Sequence, residues 1–301
     1  MARPGPPTPH RPPNETASSG TALDDANPGA GSPHGASLQR YYRRIAPRLL
    51  LHAQGRFVTP ITSAPINGGS PAEVPMTPLC LAERRDLLKL CAAGAVAFHA
   101  PTSRADAPEC PDQLVYALAG GQGDFEALKT AAATLADLLE ELDLCAYPML
   151  DGLGGLQLRV PLDARADYPA TRALARRLAR AMELRDSTRY SARPAPAGER
   201  LFIDYRLNER DSRPVLPYSL RPAPGWPVAA PLNWEMLADP DLDGRGLSRH
   251  RVMHWPQGPD PWADDPWADD PWAGDPWAGY AGQAGSVAQA HARLDRSATT
   301  V

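Results

Sequence analysis

Hydrophobic residues fall at helical spacing in four stretches of the chain. The first starts at Ser37, a plausible N-cap, and places Leu38, Tyr42, Ile45 and Leu49 on one side, with Pro47 expected to bend or interrupt it. A second, over 82–93, turns Leu87, Leu88 and Cys91 inward and stops at Gly94. The third, 124–142, carries Phe125, Leu128, Leu135, Leu139 and Leu142, with Asp124 as its N-cap. The fourth, 168–184, buries Leu174, Leu178 and Met182 and leaves Arg172, Arg176, Arg177 and Arg180 outside. Between them the period changes to two. A strand is expected over 113–118, and another over 156–160 sets Leu156, Leu158 and Val160 against Gln157 and Arg159. From Leu201 onward, Leu201, Ile203 and Tyr205 oppose Phe202, Asp204 and Arg206. Helices alternating with strands that pair antiparallel predict an α+β fold.

The pattern fails at both ends, which divides the chain into an N-terminal tail (1–37), one domain (38–240) and a C-terminal tail (241–301). Residues 1–37 are rich in Pro, Gly, Ser and Ala and are expected to be disordered. The 60–79 segment is short and Pro-rich. Residues 260–279 repeat a pentapeptide four times, DPWAD-DPWAD-DPWAG-DPWAG, with Trp262, Trp267, Trp272 and Trp277. Proline at every fifth position opposes helix and sheet ladders alike, so a disordered acidic–aromatic tail is expected. Its repeats read either as the product of replication slippage or as a multivalent docking motif for an interaction adaptor.

Charge adds little to this picture. Residues 38–236 carry 24 basic and 22 acidic side chains, a net of +2, and the overall −4 comes mainly from the C-terminal tail. A polyanion-binding domain is usually more basic. The four cysteines are scattered, without a metal-ligand spacing, and read as reduced thiols. No apolar run approaches 18 residues and no signal-peptide core opens the chain, so a soluble, cytoplasmic protein without membrane contact is expected.

Candidate chemistry concentrates in LFIDYRLNERDSRPVLPYSLR, residues 201–221. Asp204 projects from an apolar strand, with Arg206, Arg210, Arg213 and Arg221 close behind. Such a carboxylate needs a cation, a metal or a wet cleft, and a strand-edge Asp beside several Arg is more often a surface ion pair than a site. Arg40, Arg43 and Arg44 on the first helix read as a solvated face or as contacts to DNA backbone phosphates. His99, beside an apolar strand, reads as a hydrogen-bonded structural residue.

Several motifs together resemble a known family. DY-x-x-N-x-R followed by PYS-x-R, GWPVAAPLNWEML at 225–237, YYRRIAPRLLLHAQGRFVT at 41–59 and the run over 91–118 look like the polymerase domain of bacterial DNA ligase D, in the archaeo-eukaryotic primase superfamily. The likeness spans 38–240 and implies a primase-polymerase-like core of antiparallel and mixed sheets flanked by helices. It implies nucleotidyl transfer supported by Mn²⁺ or Mg²⁺, DNA ends and end-joining repair proteins as partners, and a location that could include the nucleoid. Relatives carry an extra strand where this chain has only 60–79, and that strand is expected to be lost here.

The letters that carry the chemistry differ. Where the family reads VFDLDP, this chain has Val115-Tyr116-Ala117-Leu118-Ala119, so both metal-ligand positions are alanine and only Asp204 remains. Where the family reads KTSGxKGLH, this chain has Met149, Asp151, Gly154 and Gln157 at the lysine, serine, second lysine and histidine positions. Asn208, Arg210 and Arg221 match phosphate-side positions, with Gln157 as a vestige. The expectation is a catalytically inactive relative without metal or small-molecule cofactor, acting through DNA or protein binding. The alternative is an active primase-polymerase whose ligands have moved, with Asp124, Asp151 and Asp204 as the candidate set.

Overall fold

The computed structural model describes residues 35–65, 71–119, 125–194, 200–244, 246–253, 276–277 and 279–299. Helix α1 (Gly35–Ala53) buries Leu38, Tyr41, Tyr42, Ile45 and Leu49. Pro47 lies inside it and does not interrupt it. Pro47 is on the exposed side, as is Arg43 four residues earlier, so the carbonyl that loses its partner can be hydrated.

Strands β1 (Phe57–Pro65), β2 (Pro71–Pro75) and β3 (Leu79–Cys80) follow, then α2 (Arg84–Ala92) and β4 (Ala95–His99). β1 is the centre of this first sheet and pairs antiparallel with β2, β3 and β4. The described part of the short, Pro-rich segment 60–79 is therefore largely strand. Pro71 and Pro75 stand at the ends of β2, where a missing N–H costs little. A capping box of Glu83 and Asp86 starts α2, which buries Leu87 and Cys91.

A hairpin of β5 (Ser103–Arg104) and β6 (Ala107–Pro111) leads into the second sheet. Its strands are β7 (Gln113–Ala119), β8 (Tyr147–Leu150), β9 (Leu156–Pro161), β10 (Tyr190–Ser191) and β11 (Leu201–Asp204), in spatial order β10-β11-β7-β9-β8. Helices α3 (Phe125–Glu140) and α4 (Tyr168–Arg185) intervene along the chain. Leu128, Leu135 and Leu139 of α3 and Leu174, Leu178 and Met182 of α4 share one core with Leu156, Leu158 and Val160 of β9. Asp167 caps α4 through Ala170 N, whereas Asp124 lies outside the described residues.

The segment from Val215 to Leu220 joins the two sheets. Tyr41 donates its hydroxyl to Tyr218 O at 2.8 Å, and Tyr42 donates to Val96 O at 2.7 Å and accepts from Leu220 N at 3.0 Å. Ser219 Oγ accepts from Phe98 N at 2.8 Å.

The expectation of a disordered C-terminal tail is corrected for residues 246–253, 276–277 and 279–299, while 1–34 and the first three tryptophans of the repeat lie outside the described residues. After α5 (Trp234–Ala238) come α6 (Arg249–Met253) and α7 (Val287–Thr299). Gly285 bonds the backbone of Pro161 and Asp163 at 3.0 Å each. Along α7, His291 lies 3.1 Å from Ala170 O, and Asp295 is paired with Arg177 at 2.8 Å. Trp277, in the fourth repeat, is only 3 % exposed. Among the described residues no helix is long and apolar enough to cross a membrane.

Candidate functional site

Strand register brings the expected site positions into one row across the second sheet. Asp204 of β11 faces Ala117 of β7, Ala117 faces Gln157 of β9, and Gln157 faces Met149 of β8. Facing residues in a sheet point to the same side, so this row shares a face with Ala119, Phe202, Val115, Arg159 and Tyr147. The resemblance placed metal and nucleotide contacts on this face.

At one end of the row Asp204 is fully engaged. Its Oδ1 accepts from the backbone N of Arg206 at 2.9 Å and from Arg206 Nε at 2.8 Å, while Oδ2 accepts from Nη2 at 2.6 Å. This bidentate pairing raises the pKa of the guanidinium, which also lies 4.9 Å over the Phe202 ring. A divalent cation needs several oxygen donors converging on one point. Asp204 with two alanines beside it does not supply them, and no group of three His, Cys, Asp or Glu that could hold a metal occurs among the described residues. Asp151, the other described member of the alternative ligand set, is occupied elsewhere.

Asp151 staples its own loop. Its Oδ1 accepts from Leu153 N at 2.6 Å and Gly155 N at 2.9 Å. Gly152, at φ +75°, leaves no room for a side chain, since a Cβ would lie 2.7 Å from Arg221 Cγ and 3.1 Å from Val228 O. Arg221 Nη1 donates to Asp151 O at 3.1 Å. Loop and arginine thus brace one another.

The remaining phosphate-side candidates also hold the fold. Asn208 is fully buried and brackets Val115: its Oδ1 accepts from Val115 N at 2.8 Å, and its Nδ2 donates to Val115 O at 2.7 Å and Tyr205 O at 2.8 Å. Arg210 pairs with Glu109, whose carboxyl is held below its usual pKa by that arginine. His99 Nδ1 lies 2.9 Å from Arg213 O, a backbone contact. Arg40 and Arg43 project from the exposed side of α1, and Arg44 Nε donates to Met253 O at 3.5 Å.

At the other end of the row the face is closed, and here the sequence reading missed the principal residues. Gln157 and Arg159, expected opposite the apolar side of β9, are themselves buried, Arg159 to 1 % exposure. Arg159 donates to Gln113 Oε1 at 2.8 Å, Gln157 Oε1 at 3.0 Å and Val215 O at 2.6 Å. Burial pushes its pKa down to about 10. Trp277 covers Met149, Val215 and Ala229. Its indole N–H is shared between Pro148 O at 3.0 Å and Leu232 O at 3.2 Å. Tyr280 stacks on it with centroids 5.1 Å apart, and His52 meets it edge-on at 5.3 Å. Burial, then Arg159 and Arg56, bring the His52 pKa down to about 3. The signal available in sequence was slight: the last repeat alone continues Gly279-Tyr280.

Comparison with known proteins agrees with the fold and the motifs. The solved polymerase domain of Mycobacterium tuberculosis ligase D, determined in complex with DNA, superposes with a TM-score of 0.62 at 23 % identity over 73 % of this chain and 87 % of that one. The multifunctional non-homologous end joining protein LigD of Mycobacterium bovis is 35 % identical over 147 residues, 47 % of this chain and 19 % of that protein. The Pseudomonas aeruginosa protein of the same description is 29 % identical over 181 residues, 57 % of this chain and 21 % of its own length. The chain thus spans about a fifth of these relatives. With the family model matching residues 70–262, the chain belongs to the LigD primase-polymerase domain family.

Proposed function

We propose that this chain serves DNA end-joining repair as a family member that transfers no nucleotides and acts by binding DNA ends or repair proteins. One observation carries this reading. The row Asp204–Ala117–Gln157–Met149 holds a single carboxylate, already neutralised by Arg206, and aromatic side chains lie over its far end. Two-metal phosphoryl transfer needs several carboxylates around its ions and cationic groups on the phosphates. Met149 and Gln157 offer neither. DNA contact falls to Arg40 and Arg43, with phosphates as the natural target of exposed arginines on one helix.

The test is primer extension and terminal addition with Mn²⁺ or Mg²⁺, run beside anisotropy titrations with 5′-phosphorylated duplex ends. No added nucleotide together with measurable, salt-sensitive end binding is expected. Extension abolished by Asp204→Ala would overturn the reading.

A further inference from the structure

The Trp277 pocket is shaped for more than an indole. Two carbonyls, Pro148 O and Leu232 O, share its N–H, and Tyr147, Met149, Val215 and Ala229 form the walls. Two residues after the tryptophan the backbone turns at Gly279 with φ +84°, a conformation L side chains rarely adopt. Three residues after it, Tyr280 stacks on the indole. The four repeats differ at these two positions. Trp262 and Trp267 continue Ala-Asp-Asp, Trp272 continues Ala-Gly-Asp, and Trp277 continues Ala-Gly-Tyr.

We propose that this pocket is a receptor for the Trp-Ala-Gly unit, with the copy centred on Trp272 as its second ligand, able to replace Trp277 while α7 stays docked. The proposal does not depend on whether the chain is catalytic. Three observations support it. First, α7 has its own anchors, the Gly285 backbone pairing and the contacts of His291 and Asp295 with α4, so the pocket can change occupant without releasing the helix. Second, the shift lengthens the span from docked tryptophan to Gly285 only from 8 to 13 residues, a loop-closure penalty of about twofold. Third, the shift puts Asp275 at the place of Tyr280. That place lies on the short turn 280–283, which packs against β9, the strand that carries Arg159. Arg159 has no carboxylate within ion-pair distance among the described residues, and its Nε is buried without a partner.

Against the exchange stands the loss of the Tyr280–Trp277 stack, about two- to tenfold. Trp277 therefore dominates in the natural chain and Trp272 succeeds it when Trp277 is removed. The first two copies are weaker ligands, because an aspartate would have to adopt the left-handed turn.

The experiment uses the full chain labelled with 5-fluorotryptophan and read by ¹⁹F NMR, with the buried Trp226 as internal reference. In Trp277→Ala a second buried resonance should persist. It should vanish in Trp272→Ala/Trp277→Ala and weaken in Trp277→Ala/Gly274→Asp. A fluorinated Asp-Pro-Trp-Ala-Gly-Asp peptide added to the Trp272→Ala/Trp277→Ala protein should acquire the buried shift, and one ending Ala-Asp-Asp should bind less well. If Trp277→Ala alone loses the resonance as completely as the double variant, or the peptide gains no buried shift, the pocket is specific to Trp277 and the proposal fails.

Discussion

Arg206 grips both carboxylate oxygens of Asp204, with Nε 2.8 Å from Oδ1 and Nη2 2.6 Å from Oδ2. The two residues are only two positions apart, so the pairing belongs to the turn after β11 and needs no help from the rest of the fold. It also means that the alanines at 117 and 119 are not the whole obstacle to metal binding.

Restoring aspartate at 117 and 119 sets a carboxylate directly across from Asp204 and a second on the same face, two residues along β7. We expect Ala117→Asp/Ala119→Asp to bind Mn²⁺ weakly, because Asp204 stays with Arg206, and Arg206→Ala added to it to bind more tightly, as like charges become favourable around a dication. Isothermal calorimetry measures both. Primer extension should remain absent in either variant, since Met149, Asp151, Gly154 and Gln157 supply no cation to a triphosphate. Robust extension would show that the rest of the site is intact.

Asn208 offers a test in the opposite sense, of a residue that resembles a ligand and holds a strand. Asn208→Ala leaves both polar groups of Val115 buried without their partner, a cost of about 2–5 kcal/mol. For a domain of this size that is a fall in melting temperature of roughly 5–15 °C, measurable by calorimetry. A phosphate-side role would instead leave the melting temperature unchanged and weaken nucleotide or DNA binding.

How much could be read beforehand depended on how local the cause is. The apolar spacing of Leu128, Leu135 and Leu139, or of Leu174, Leu178 and Met182, is set within one helix and located α3 and α4 to within about two residues. The alternation of β9 was legible too, but its meaning was not. Gln157 and Arg159 stand opposite the apolar side of the strand, and that their face is closed depends on Val215 and Trp277, from distant parts of the chain. Likewise a period of five does not show which repeat meets a pocket. Motif likeness assigned Asn208 and Arg221 to the phosphate side, while their bonds to Val115 and Asp151 depend on tertiary register.

His52 makes the closed face sensitive to acid. Its pKa is about 3 in the folded protein against 6.5 as the ordinary value, so the unfolded chain binds the extra proton first. Stability is then full above pH 6.5 and declines as pH falls from 6.5 toward 3, with a slope of at most about 1.4 kcal/mol per pH unit. Between pH 6.5 and 5 few carboxylates titrate, so this window isolates the histidine. Urea unfolding across it should show the decline, and His52→Gln should flatten it. An unchanged slope in the variant would assign the acid sensitivity to other groups.

The final prediction separates arginines that bind DNA from arginines that hold the fold. Arg40 and Arg43 lie on the exposed side of α1 and make no hydrogen bond or ion pair among the described residues. Arg177 is as basic but is engaged by His291 and Asp295 of α7, and Arg172 is paired with Glu209 at 2.9 Å. A guanidinium already facing a carboxylate releases few DNA counterions, whereas a free one that meets a phosphate shifts the log–log salt dependence by about 0.9 on duplex. Arg40→Gln and Arg43→Gln should each weaken binding of a duplex end evenly across sequences and make the slope shallower by about 0.9. Arg177→Gln should leave the slope alone and lower the melting temperature instead, because it removes one of the contacts that hold α7 on α4. With a net charge of only +2 over 38–236 the starting slope is itself expected to be small, so titrations belong at low salt. A complex that survives high salt, or one whose slope follows Arg177 in place of Arg40 and Arg43, would move the DNA-binding surface from α1 to α4.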